Sequence, residues 1–358
     1  MANFGALLQK LKDSSRNLNR GEKSDLVYIV EARDWAVKKV GQELVRELNQ
    51  QKLITSRIAA TPFGLKQKII HFGSLPAFSQ NGRLLPRVHS SNKIIVTCFH
   101  LDPKKTHFHN FSTITKSVSF FHTSCQITKK ALAASGAPSQ KISVIPLGVN
   151  LKLFRSAVLN EKIKARKMLG IPENHFVIGS FQKDGVGWGR GRKPKLIKGP
   201  DIFLQTMAAL KKYKPFVLLT GPSRGYVKQG LLKAGIPYKH FYLKNRADIG
   251  KMYNALDLYL IASRIEGGPS ALLESWASGV PLVGAKVGMI PDIAQNNKNI
   301  LWAEAGNLRE IIAQTRLAIK HPNLRLKLSE AGLAEARKYS WKKIALRYWQ
   351  EIYAKILS

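Results

Sequence analysis

Glu266 and Glu274 bracket the run Gly267-Gly268-Pro269-Ser270-Ala271, and this stretch carries the most chemistry in the chain. Glycine amides followed by the first N–H groups of a helix form an anion site suited to phosphate. Two carboxylates beside phosphate alone would repel it. They make sense if they face hydroxyl groups while the amides face a diphosphate. A nucleotide-sugar has that layout, with sugar and ribose hydroxyls on either side of a pyrophosphate. The plainer alternative makes Glu274 a favourable charge near a helix N-terminus and the glycines an ordinary turn.

The flanking sequence must hold these residues in place. Residues 256–262 form an apolar run of strand length, and the glycines with Pro269 end it. Ser270 is the expected N-cap of a helix over 271–278, with Gly279 at its C-terminal end and a new strand starting at Pro281. A strand, helix and strand this closely spaced imply a parallel crossover. A second candidate is the loop 182–200, rich in glycine and lysine, between a strand at 176–181 and a helix at 201–210. Amides and cations converging before a helix can cradle phosphate, yet the Gly-Lys-Ser/Thr of a Walker loop is absent. Lys183, Lys198, Arg190, Arg192, Lys193 and Lys195 are its cations, and a solvated charge run is their alternative reading. Gly221 and Pro222 end a further strand at 216–220.

Glu266-Gly267-Gly268-Pro269 with Glu274-Ser-Trp-Ala-Ser-Gly-Val-Pro resembles the donor-site signature of GT4-like retaining glycosyltransferases, the glycosyl transferases group 1. The resemblance implies an α/β protein of the GT-B fold: two Rossmann-like, doubly wound domains facing a cleft, with a C-terminal helix crossing back to the first. Ile145-Pro-Leu-Gly-Val-Asn150 looks like that family's interdomain crossing. The expected domains are 1–147 on the acceptor side, 148–338 for the donor, and a closing helix at 339–358. By the same resemblance Glu266 holds a donor-sugar hydroxyl and Glu274 the ribose. The amides of Gly268 to Ala271, with Lys198 and Lys183, face the diphosphate. Lys183 is the weaker match, because Ser180-Phe-Gln-Lys replaces the family's usual Gly-Arg. Gly221, Arg224, Tyr226 and residues 245–248 fall where the family approaches the nucleotide. The implied reaction moves a hexose from a nucleotide-diphosphate sugar, with retention, to a glycan or lipid-linked acceptor. No cofactor is expected beyond that co-substrate, and no metal, since no Asp-x-Asp motif occurs.

In the first half, strands at 26–30, 69–72 and 93–99 alternate with helices, as in a doubly wound sheet with ligands at strand C-terminal ends. That places Gly73-Ser74 and residues 100–102 at the mouth. His100 is the best general-base or hydroxyl-positioning candidate, and the resemblance favours a His facing the sugar there. Asp102 before Pro103 serves equally as a turn residue. Asp34 would cap the helix that follows the first strand. Cys98, His100, His107, His109, His122 and Cys125 gather six potential ligands, but their spacing matches no standard zinc pattern.

Composition sets the outer bounds. At 358 residues the chain has room for two domains. Two cysteines are too few for a disulfide framework, and the N-terminus shows no secretory pattern, so a cytoplasmic setting is expected. The charge is anomalous, with 58 Lys and Arg against 22 Asp and Glu. Such a field attracts polyanions: nucleic acid, anionic lipid or acidic glycan. A basic nucleic-acid-binding protein is the alternative of another class, but no recognisable binding module is present. A sugar-nucleotide epimerase on the same fold is the alternative enzyme. Phe4, Leu7, Leu8 and Leu11 recur at helical spacing among Lys10, Lys12 and Arg16, a pattern able to make peripheral contact with an anionic membrane, including the inner membrane face. Docking on its own domain is the commoner fate of such a helix.

Overall fold

The structure is a computed structural model that describes residues 2–18, 24–30, 36–80, 83–84, 88–99, 101, 111–243 and 245–358. The chain divides into two compact units, 1–148 with 341–358, and 149–340.

The first unit is built on a six-stranded sheet. Its strands are β1 (Leu26–Ile29), β2 (Ser56–Ala59), β3 (Ile69–Phe72), β6 (Lys93–Thr97), β7 (Phe120–Thr123) and β8 (Ile142–Val144), with a short ribbon of β4 (Ser79–Gln80) and β5 (Arg83–Leu84) beside it. The order is β2-β1-β3-β6-β7-β8, all parallel. Parallel strands are covered on both faces, which is why the inner strands β1, β3 and β6 read as largely apolar runs. Val27, Ile70, Val96 and Phe121 are entirely buried in its core. The helix Ala36–Gln50 covers one face through Val40, Leu44 and Leu48. Asp34 and the capping role expected of it lie outside the described residues.

The C-terminal segment belongs to this first unit. Ile344, Tyr348 and Ile352, spaced four residues apart in the sequence, and Tyr353 beside them are all buried. A π-helical turn over Trp349–Tyr353 widens the helix and brings two successive residues, Ile352 and Tyr353, to the inside.

These tyrosines meet a chain of buried polar groups. Tyr353 Oη lies 2.7 Å from His71 Nδ1, and His71 Nε2 lies 2.8 Å from Thr97 Oγ1. Thr97 Oγ1 lies 3.0 Å from His122 Nδ1, and His122 Nε2 lies 2.9 Å from the Ile145 carbonyl. Tyr348 Oη also lies 2.9 and 3.1 Å from His122 Nε2 and Nδ1, and one proton arrangement with neutral rings makes all four contacts of the chain hydrogen bonds. Ile145 accepts from His122 Nε2–H, Thr97 donates to His122 Nδ1, His71 Nε2–H donates to Thr97, and Tyr353 donates to His71 Nδ1. Burial pulls His122 down to about 4, and burial with the neighbouring His122 pulls His71 well below the ordinary imidazole value.

Both imidazoles take a proton in the unfolded chain near pH 6.5 but resist it in the fold. The unfolded state therefore binds more protons as pH falls, and stability drops by about 1.4 kcal/mol per pH unit for each such group. The melting temperature is expected to fall steeply between pH 7 and pH 5. His122→Gln should flatten that slope, which calorimetry across the pH range would check.

The second unit has its own parallel six-stranded sheet. Its strands are β9 (Phe176–Ser180), β10 (Pro215–Thr220), β11 (Tyr238–Phe241), β12 (Leu258–Ile261), β13 (Leu282–Ala285) and β14 (Leu301–Ala303). Their order is β11-β10-β9-β12-β13-β14. The order reverses between β9 and β12, and a crevice opens at the strand C-terminal ends of such a switch point. The loops leaving β9 and β12 therefore meet there. They are the two loops that the sequence singles out.

Candidate active site

The loop after β9 arrives first. Residues 182–199 fold into a hairpin-like excursion, with an antiparallel bridge between Gly185 and Pro194. It is fastened to the end of β10: Gly225 N donates to Arg190 O at 2.8 Å, and Tyr226 N to Gly191 O at 2.8 Å. Beneath it lies Arg224, which is 1% exposed. Its guanidinium donates to the carbonyls of Ser180 (2.6 Å) and Thr220 (2.9 Å) and to Ser180 Oγ (3.0 Å). It also pairs with the equally buried Asp184 at 3.1 Å. Burial lowers the arginine from its ordinary value and raises Asp184, opposed in each case by the partner's charge. Arg224 is thus a strut joining β9, β10 and the loop.

The loop then returns to the switch point through Leu196–Lys198, a single 3₁₀ turn. Arg264 N and Ile265 N, just past β12, both donate to Ile197 O, at 2.9 and 3.1 Å. Gly199 makes this contact feasible. Its φ is +62°, and a Cβ there would fall 1.8 Å from Ala262 O. Only glycine tolerates both the left-handed backbone and so close an approach. The same junction is braced by Arg264, which grips Asp201 with two bonds of 2.8 and 2.7 Å. That grip, against some burial, holds Asp201 below the usual carboxylate range.

The consequence is a charged centre. Lys198 Nζ sits 2.6 Å from each oxygen of Glu266, and Ser263 Oγ donates to Glu266 Oε1 at 2.8 Å. Both charged side chains are largely covered, at 21% and 11% exposure. Glu266 opens the loop Gly267-Gly268-Pro269, which leads into the helix Ser270–Ala277. Gly288 backs this loop with φ +55°, where a Cβ would meet Gly267 O at 2.2 Å. The segment after β13 thereby supports the turn from behind.

Glu274 lies one turn into that helix and is 8% exposed. Tyr253 Oη donates to its Oε2 at 3.0 Å. Tyr253 in turn is locked among aromatic rings, stacked on Tyr259 at 5.4 Å and edge-on to Phe181 at 4.9 Å. Phe181 N donates to Tyr259 Oη at 2.8 Å, tying the start of the β9 loop to this cluster. The carboxylate is therefore aimed by a rigid support rather than left to solvent.

The structure brings Lys198, Ser263, Glu266, Gly267, Gly268, Pro269, Ser270, Ala271 and Glu274 into one neighbourhood at the switch point. Ser270 is the first residue of the helix and not its N-cap: Pro269 holds that position, with no side-chain cap. The Pro269 carbonyl accepts from Leu272 N at 3.0 Å, and no N-cap side chain occupies the N–H groups of the first turn. Lys183 lies with its ammonium 4.2 Å over the Trp188 ring, on the excursion of the same loop. Gly221 takes φ +88° at the end of β10, and its carbonyl lies 2.7 Å from His240 Nε2. His100, Asp102, His107 and His109 lie outside the described residues. Cys98, His122 and Cys125 are buried, His122 in the polar chain above and Cys125 with Sγ 3.1 Å from Thr128 Oγ1. Ser263 and Tyr253 escaped sequence reasoning. Tyr253 sits among apolar residues at helical spacing and reads as core, so nothing local marks its hydroxyl. A hollow of about 640 Å³ lies beside β11 at the sheet edge, lined by Trp188, Arg190, Arg192, Lys228, His240 and Tyr242 among others.

Comparison with known proteins bears on this arrangement. Residues 191–334 match the family described as glycosyl transferases group 1. The chain is 30% identical over 222 residues to a D-inositol 3-phosphate glycosyltransferase of Segniliparus rotundus, covering 58% of this chain and 46% of the relative. It is 27% identical over 218 residues to the N,N'-diacetylbacillosaminyl-diphospho-undecaprenol alpha-1,3-N-acetylgalactosaminyltransferase of Campylobacter jejuni, covering 60% and 54%. The chain spans about half the length of these curated relatives. Among solved structures, HepE of Anabaena in complex with UDP and glucose superposes with a TM-score of 0.74 at 15% identity, over 92% of this chain and 100% of that one. WaaG, a glycosyltransferase of lipopolysaccharide biosynthesis, gives 0.66 at 12% identity, over 91% and 99%. The architecture is thus the GT-B fold, and residues 191–334 within it resemble the group 1 glycosyltransferases.

Proposed function

We propose that the chain transfers a hexose from a nucleoside diphosphate sugar to a glycan or lipid-linked acceptor, with retention and without a divalent metal. The observation that carries this is the meeting of Lys198 and Glu266 at 2.6 Å beside the glycine loop. A carboxylate suits sugar hydroxyls and an ammonium suits phosphate. Their junction therefore suits the bond that joins sugar to diphosphate.

In this reading the acceptor oxygen bonds to the anomeric carbon as the bond from that carbon to the phosphate oxygen breaks. The leaving diphosphate takes the bonding electrons and then the acceptor's proton. Attack comes from the face of departure, which retains configuration. Lys198 and the amides of Gly268, Ser270 and Ala271 offset the charge that grows on the leaving group, the task a metal ion performs elsewhere. Lys183 adds to that field, and Gly221 borders the nucleotide. Glu266 holds a sugar hydroxyl, Glu274 the ribose, and His100 positions the donor sugar. Support for the donor class comes from HepE, whose crystals hold UDP-glucose. Support for a lipid-linked acceptor comes from the diphospho-undecaprenol in the name of the Campylobacter relative.

The test is a thermal-shift panel of UDP, GDP, ADP and their sugar conjugates, with and without EDTA. A ligand at a hundred times its dissociation constant adds about 2.7 kcal/mol of stability. One nucleotide family should stabilise the protein regardless of EDTA, and Glu274→Gln should abolish the shift. Stabilisation by short DNA or RNA, with none from any nucleotide or conjugate, would overturn the reading.

A further inference from the structure

The helix Ala2–Leu18 is mounted the opposite way round from most helices of its composition. Its docked face is polar. Asp13 and Asn17 are 7% and 6% exposed. Asp13 Oδ2 accepts from Ala60 N at 2.6 Å, and Asn17 Nδ2 donates to the carbonyls of Phe63 (2.7 Å) and Thr61 (3.1 Å). The Arg57 guanidinium donates to Asn17 Oδ1. The helix is therefore held on the first unit by directed bonds to the segment 57–63.

Its leucines point the other way. Leu7, Leu11 and Leu18 are 55%, 58% and 62% exposed. At about 100° per residue they fall within a stripe roughly 40° wide. Leu8 widens the stripe, and Phe63, next to the Gly64 against which Leu18 lies, extends it at 53% exposure. Lys10 flanks the stripe on one side and Lys12 on the other. Soluble proteins seldom leave so many large apolar side chains together in water.

We propose that this helix is a docking surface for an anionic phospholipid bilayer, lying in the interface plane with its leucine stripe in the acyl boundary. An apolar stripe between cations is the pattern of such in-plane helices. No helix among the described residues is long and apolar enough to cross a membrane. Charge selects the partner. A second copy of this chain would bring a formal +36 against +36, whereas an anionic surface is attracted by the whole molecule as well as by the flanking lysines. The inference stands apart from the transfer reaction, and its test contains no nucleotide.

The test is co-sedimentation with phosphatidylcholine vesicles with and without 30% phosphatidylglycerol (about the anionic fraction that gives a strong surface potential). The protein should partition at least about tenfold better onto the anionic vesicles. Leu7→Ser/Leu11→Ser should lose at least about tenfold of that binding with its melting temperature unchanged, because both side chains already face solvent. A Lys211→Glu/Lys212→Glu control in the second unit should lose far less. A dye on Leu8→Cys, free of competition from the two buried native cysteines, should shift its emission to the blue on anionic vesicles. Binding that the leucine variant retains in full would show charge alone at work and overturn the proposal. So would a leucine variant that changes the oligomeric state while the wild type ignores vesicles.

Discussion

Lys198→Met is expected to lower kcat by about two to three orders of magnitude, with a much smaller change in KM. Removing one preorganised donor from a developing oxyanion typically costs about 3–4 kcal/mol of transition-state stabilisation. The loss should fall on kcat because the ammonium's partner changes along the reaction. Before transfer its charge is balanced by Glu266, 2.6 Å away. In the proposed reaction a second negative charge grows in the same place as the diphosphate departs, and the lysine's attraction to it exists only then. The variant also leaves Glu266 beside the leaving group without its counter-charge, which adds repulsion where attraction was. Glu266→Gln separates the two effects: it keeps the shape, frees Lys198, and should raise KM for the donor more than Lys198→Met does. Release of the nucleoside diphosphate, measured with the donor that the thermal-shift panel names, reads both constants. Equal KM and kcat effects for the two variants would show that the pair is a structural tie and not part of the chemistry.

Arg224→Met should destabilise the second unit by about 3–5 kcal/mol, the usual cost of breaking a buried ion pair by removing one partner. Asp184 would be left buried and charged, and the carbonyls of Ser180 and Thr220 would lose their donor. Chemical denaturation would show the loss as a lower midpoint. Two further signs identify the cause. Burial already raises Asp184 above its ordinary value. Without Arg224 it should take a proton on acidification, so the variant regains stability as pH falls from 7 towards 5, opposite to the histidine effect in the first unit. The double replacement Arg224→Met/Asp184→Leu should recover much of the loss, because it buries no charge at all. Loosening this strut also frees the loop that delivers Lys198, so activity should fall before the fold does.

Both predictions join residues that are near each other only in the folded chain. The strands in the middle of each sheet were legible, because β1, β3, β6, β9, β10, β12 and β13 are buried on both faces and read as apolar runs. The strands missed or left vague are at sheet edges. β2 (SRIA), β11 (YKHF) and β14 (LWA) each have one side open, so their composition carries less of the apolar signal. The glycine loop with its two glutamates was legible too, since its spacing reflects a local requirement: a tight turn feeding a helix start.

What the sequence by itself determined was the two-part α/β organisation, the buried stripe of the C-terminal helix, and the stretch around Glu266 and Glu274. These depend on periodicity and turn chemistry within a few residues. Tertiary structure alone decided the rest. Lys198 reaches Glu266, 68 residues away in the chain, because the sheet order reverses between β9 and β12 and Gly199 lets the two loops touch. Tyr253 aims Glu274 because an aromatic cluster fixes its ring. The leucines of the first helix face outward because Asp13 and Asn17 found backbone partners on the other side. In each case the deciding quantity is the direction of a side chain across a long sequence separation, which packing and hydrogen bonding set and composition does not encode.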